Sequence, residues 1–174
     1  MRLYHVSDIE IKDPDIRHGR KNADFGQGFY LTPDLEFARK WAVGEAVLNE
    51  YELEKEGLFI KEFKRDATWF DYIYNNRHLN DVLDADVVMG PIANDTIFDT
   101  LGIISSGFLA SDDALKLLLV GPCYIQVAIK SDKARAQLKF IKSCKVEKQE
   151  SGAKEKEEAE YQEEFAKAME ELDR

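Results

Sequence analysis

The chain has 174 residues, a formal net charge of −10 and 44% hydrophobic residues, enough for one domain with a real core and short for two. No stretch approaches the roughly 18 apolar residues of a membrane-spanning helix, so no membrane contact is expected. The acidic balance argues against a protein that coats nucleic acid through many phosphate contacts, although much of that charge lies in the segment from Ser151 onward.

In chain order, "RLYHVSD" alternates Leu3, His5 and Ser7 against Tyr4 and Val6 and predicts a first strand. The polar run from Ile9 to Asn22, with Pro14 and Gly19, reads as a long connection of the kind that is usually functional. "GFYLT" predicts a second short strand. A helix follows over "PDLEFARKWAV", with Thr32 as N-cap, Pro33 at the first helical position, and Leu35, Ala38, Trp41 and Ala42 on one face. "AVLNEYEL" and "GLFIKEF" read as a hairpin turning at "EKEG", and "DATWFDYIYNNRHL" as a helix capped by Asp66 and ending near Asn76. "ADVVMGPI" suits a strand buried on both faces. "SDDALKLLLVG" predicts a helix ending at Gly121, and "CYIQVAIK" and "QLKFIKSCKV" the last strands. This mixture lacks strict strand-helix alternation, so the expected class is α+β with a largely antiparallel core and flanking helices. The expected division is a domain over 1–146 and a charged helical or disordered tail over 147–174.

The start "MRLYHVSDIE" shows no charged-then-apolar leader, which makes the cytoplasm the expected compartment. Cys123 and Cys144 are expected to be small buried hydrophobes. With only these two thiols, and with His5, His18 and His78 at no ligand spacing, no metal is expected.

Several residues invite a functional reading, each beside a plainer one. His5 in an apolar strand suits a hydrogen-bonded structural residue more readily than a ligand contact. Gly26 and Gly28 lack the pattern of a dinucleotide fingerprint or a Walker loop; they serve either a turn or a backbone that a ligand approaches closely. Tyr30 fits either a core aromatic or a ligand platform. Gln126 between Ile125 and Val127 needs polar company if buried. Asp95, in "IANDT" just after an apolar strand, fits a catalytic acid as well as an N-cap.

"LYHVS" followed by "DFGQGFYLT" and a helix resembles the first two motifs of the ADP-ribosyltransferase superfamily, in the histidine-tyrosine-glutamate branch of diphtheria toxin and the poly-ADP-ribose polymerases. "HGRKNADFGQGFYLT" with "GPIANDTIFDT" and "ALKLLLVGP" is similar to an uncharacterised bacterial family within it, over most of residues 2–142. The resemblance implies a split antiparallel β core and NAD as cofactor. His5 would bond a ribose hydroxyl, Tyr30 would stack on nicotinamide, Gly26 and Gly28 would admit the cofactor, and Arg20 beside Lys21 would hold the pyrophosphate. Val6 replaces the family's glycine, its main chain still available to the nicotinamide carboxamide. Ser7, Gly19, Asn22, Phe25 and Phe29 complete the implied cofactor-binding set.

The implied chemistry is cleavage of the nicotinamide-ribose bond through an oxocarbenium-like state. ADP-ribose would pass to a protein or nucleic-acid acceptor, a toxin or defence effector being one setting. Gln126 stands where the family places a glutamate; it keeps a hydrogen bond and brings no negative charge, and Asp95 is an alternative acid. The other reading is a catalytically weak NAD-binding or interaction module. A cognate partner would then dock on the C-terminal stripe Tyr161, Phe165, Met169 and Leu172, a stripe that equally suits a helix packed on its own domain.

Overall fold

The structure, a computed structural model, describes residues 1–42, 44–78, 81, 83–93, 116–117, 119–147 and 152–172. Among them the chain forms β1 (Arg2–Ser7), β2 (Phe29–Leu31), α1 (Leu35–Lys40), β3 (Glu45–Leu53), β4 (Ile60–Glu62), α2 (Ala67–Arg77), β5 (Val87–Pro91), β6 (Ile125–Ile129), α3 (Asp132–Ala136), β7 (Leu138–Glu147) and α4 (Gly152–Leu172). The class is α+β, with two sheets ordered β1-β3-β7 and β2-β6-β5-β4. Every described pairing is antiparallel except β4 with β5.

Strand alternation sorts the core into two layers. Leu3, Phe29, Leu31, Tyr51, Leu53, Val87, Val127 and Ile129 meet between the sheets. Phe25, Phe63, Trp69, Tyr72, Ile73, Val88 and Ala128 fill the other face of the four-stranded sheet, beneath α2. α2 starts as expected, the Asp66 carboxylate accepting from the Trp69 amide at 3.0 Å. Its buried residues are Trp69, Tyr72, Ile73 and Asn76, while Tyr74 is exposed.

Four local expectations are corrected. β3 and β4 form no hairpin: β3 lies between β1 and β7, and β4 pairs parallel with β5 in the other sheet. The break at Gly57, with φ of +73°, sends the chain from one sheet to the other. The cap of α1 is Asp34, whose side chain accepts from the Phe37 amide at 3.0 Å. Thr32 instead donates its hydroxyl to the Ile125 carbonyl at 2.8 Å and accepts from the Asp34 amide, work for β6 that leaves the cap to its neighbour. Trp41 is the C-cap of α1 and exposed, because Phe37, Ala38 and Ala42 take the inward face. Cys123 and Cys144 are free and exposed, the latter on a strand that pairs on one side only among the described residues. The short helix α3, capped by Ser131, is an element the apolar pattern conceals between β6 and β7.

The long connection is held along its length. Asn49, fully buried in β3, accepts from the Ile11 amide and donates to Ser7 Oγ and the Ile9 carbonyl. Tyr51 donates to the Ile11 carbonyl at 2.6 Å. Further on, Arg135 grips Asp13 and the Pro14 carbonyl, Ile16 enters the core, and Arg17 pairs with Asp132. What is left outward is the basic apex, with His18, Arg20, Lys21 and Asn22 exposed. No described helix is long and apolar enough to cross a membrane.

Candidate functional site

The two sheets touch where β1 meets β2. Tyr4 and Thr32 exchange both backbone bonds, at 2.8 and 2.9 Å, and that single bridge is the whole of the pairing between the two strands among the described residues. Because both main-chain groups of an antiparallel residue face one neighbour and alternate along the strand, Val6 turns its N–H and C=O to the same edge as Tyr4. No backbone bond from β2 meets them there among the described residues. The sheets therefore part beyond Tyr4, leaving a main-chain donor and acceptor on β1 across from the strand that carries Tyr30.

His5 sits at this seam. Its Nδ1 lies 2.7 Å from the Tyr30 carbonyl, and its ring is 4.5 Å from that of Phe29. A carbonyl only accepts, so Nδ1 carries the proton and Nε2 is left as an acceptor. Burial holds the imidazole below its ordinary pKa and opposes the raising effect of that bond, so the neutral form prevails. A depressed histidine pKa stabilises the fold above the unfolded value of about 6.5 and progressively less as pH falls through it. The urea midpoint should thus be flat above about pH 7 and drop below about pH 6.5, with a smaller drop in a His5→Gln variant.

Tyr30 meets His5 only through its main chain. Its phenol turns to the other face, where it donates to the Gly26 carbonyl at 2.7 Å and accepts from the Phe25 amide at 2.9 Å. Burial drives its pKa well above the ordinary phenol value, so it stays protonated. Lys130 donates to the Phe25 carbonyl at 2.6 Å and to Tyr72 at 3.2 Å, and pairs with Asp81. Residues 25 and 26 are therefore fastened from two sides.

Several residues of the implied cofactor-binding set pack within the chain. Phe25 is fully buried beside Phe63 and Tyr72, and Phe29 lies between the sheets. A Cβ on Gly19 would strike the Gly28 carbonyl, one on Gly28 would lie 2.7 Å from the Ile129 carbonyl, and one on Gly26, at φ +76°, would strike Asp81. Gly19 and Gly28 let backbone cross backbone and Gly26 makes way for the Asp81 carboxylate, so the room expected for a ligand at those Cβ positions is taken by the chain. Ser7 is committed to Ile9 and Asn49. Asp95 lies outside the described residues, as does most of the helix expected to end at Gly121.

Gln126 is 6% exposed on the same face of the sheet as Ala128 and Tyr30, and its Nε2 donates to Asp24 Oδ2 at 3.1 Å. Asp24 was not singled out from the sequence. Its Oδ1 accepts from Arg77 Nε and Nη2 at 2.9 and 2.7 Å, Oδ2 also accepts from the Ala93 amide at 3.1 Å, and its carbonyl accepts from Asn76. The only sequence hint was an acid directly before "FGQG"; Arg77, at the end of α2, stood 53 residues away.

Residues 1–140 match a family model described as "Protein of unknown function (DUF3990)". The chain belongs to that family. No curated protein and no solved structure matches it. The DUF3990 match takes in His5, the seam at Val6, Asp24, Tyr30, Arg77 and Gln126, and ends inside β7, so α4 lies beyond it.

Proposed function

We propose that this DUF3990 domain binds NAD in the seam between β1 and β2 and transfers ADP-ribose from it to a macromolecular acceptor. The observation that carries the reading is the parting of the sheets beyond the Tyr4–Thr32 bridge, with the Val6 main chain met by no backbone bond from β2 among the described residues, beside the neutral His5. A planar carboxamide pairs well with one N–H and one C=O side by side, and an unprotonated imidazole nitrogen suits a sugar hydroxyl. Arg20 and Lys21, exposed on the tethered loop, supply cations for a pyrophosphate. Two mostly antiparallel sheets meeting edge to edge fit the split core of the ADP-ribosyltransferases, which the motif resemblance first suggested.

Gln126 favours a second reading, a domain that binds NAD and turns it over slowly or not at all. The amide brings no charge to an oxocarbenium-like state, and the adjacent carboxylate, Asp24, is already paired with Arg77. Calorimetry with NAD, together with release of nicotinamide from labelled NAD in a cell lysate, tests both. Binding with release or label transfer supports the transferase, and binding without either supports the second reading. No heat of binding at millimolar NAD overturns both.

A further inference from the structure

A carboxylate can only accept, and that of Asp24 takes two bonds from the guanidinium of Arg77; the two side chains are 13% and 10% exposed. Whatever faces Asp24 Oδ2 from β6 must therefore be a donor. Gln126 meets the requirement with its NH₂ group, and the planarity of the amide then turns Oε1 away from Asp24. That oxygen accepts no hydrogen bond among the described residues, although the residue is 6% exposed. The little exposure the residue keeps leaves that oxygen reachable, and a ligand hydroxyl or N–H is a group that would pair it.

We infer that Asp24, locked by Arg77, is a positioning residue that fixes the Gln126 amide with Oε1 as a neutral acceptor for a ligand hydroxyl. The orientation of the amide stands on the hydrogen bonds alone. That the hydroxyl belongs to the nicotinamide ribose rests on the NAD reading. Glutamine at 126 is then a requirement of the site rather than a faded glutamate, because a glutamate there would set two carboxylates in contact beneath α2.

Three measurements test this on the full chain. Gln126→Glu should lose stability as pH rises: like charges raise a carboxyl pKa in the fold, so the folded state holds more protons than the unfolded one. Its Tm should fall by roughly 5–10 °C more than that of the unaltered protein between about pH 5 and about pH 8. The double variant Asp24→Asn with Gln126→Glu should recover at least half of that loss. By NMR, the Gln126 side-chain NH₂ protons should exchange slowly in the unaltered protein and faster in Asp24→Asn. A pH profile unchanged by Gln126→Glu, or equal exchange with and without Asp24, overturns the positioning role. Finally, NAD should bind about 10-fold more tightly than its analogue lacking the 2′-hydroxyl of the nicotinamide ribose, with the preference lost in Gln126→Leu. NAD binding with no such preference overturns the hydroxyl assignment. If NAD fails to bind while the stability and exchange results hold, the positioning role stands and the NAD reading falls.

Discussion

Arg77→Ala should destabilise the protein by about 3–5 kcal/mol at neutral pH, the range for removing one partner of a buried ion pair. The pair is largely withdrawn from solvent, its side chains 10% and 13% exposed, and the two guanidinium bonds reach one carboxylate oxygen at 2.7 and 2.9 Å. Without Arg77, Asp24 would keep its bonds from Gln126 Nε2 and the Ala93 amide but lose the guanidinium charge that pairs with it. Urea unfolding of the variant and of the unaltered protein at neutral pH measures the difference. Arg77→Lys should fall between the two, since one ammonium cannot reproduce the fork. Equal midpoints for Arg77→Ala and the unaltered protein would show that the ion pair contributes nothing to stability.

Tyr30 separates two effects that an alanine scan would merge. Tyr30→Ala removes the ring packed beneath α2 as well as the hydroxyl that ties Phe25 and Gly26, and should cost about 3–5 kcal/mol. Lost NAD binding in that variant would follow from a released loop as readily as from a lost stacking surface. Tyr30→Phe keeps the ring and removes only the hydroxyl, which leaves the Phe25 amide and the Gly26 carbonyl without their partner and should cost about 1–3 kcal/mol. If the ring is the nicotinamide platform, Tyr30→Phe should hold NAD within a few-fold of the unaltered affinity while its urea midpoint falls. If the phenol's work is to hold residues 25 and 26, Tyr30→Phe should lose affinity in step with stability. Calorimetry beside urea unfolding on this one variant decides between them.

The element pattern was legible wherever a local cause acts alone. Asp66 caps α2 because a short carboxylate three residues ahead of an amide is a local geometry, and it survived folding unchanged. The alternation in β3 and the unbroken apolar runs of β5 and β6 likewise mark strands that enter the core. Pairing partners were not legible: β3 and β4 lie close in sequence and read as a hairpin, yet β4 joins β5 in the other sheet. Which strand a short apolar run pairs with depends on long-range packing rather than on its own period.

The candidate site divides along the same line. By its own residues the sequence determined an α+β chain, a histidine strand, a tyrosine strand behind two glycines, and an amide out of place in an apolar strand, because period and side-chain chemistry are local properties. Only the tertiary structure decided what those residues face. It set Gly28 against crossing backbone and Gly26 against the Asp81 carboxylate, sent the Tyr30 phenol to the face opposite His5, and brought Gln126 and Arg77 to Asp24 across 102 and 53 residues of chain. A buried amide must find a partner somewhere in the fold, and nothing in the neighbouring residues says which.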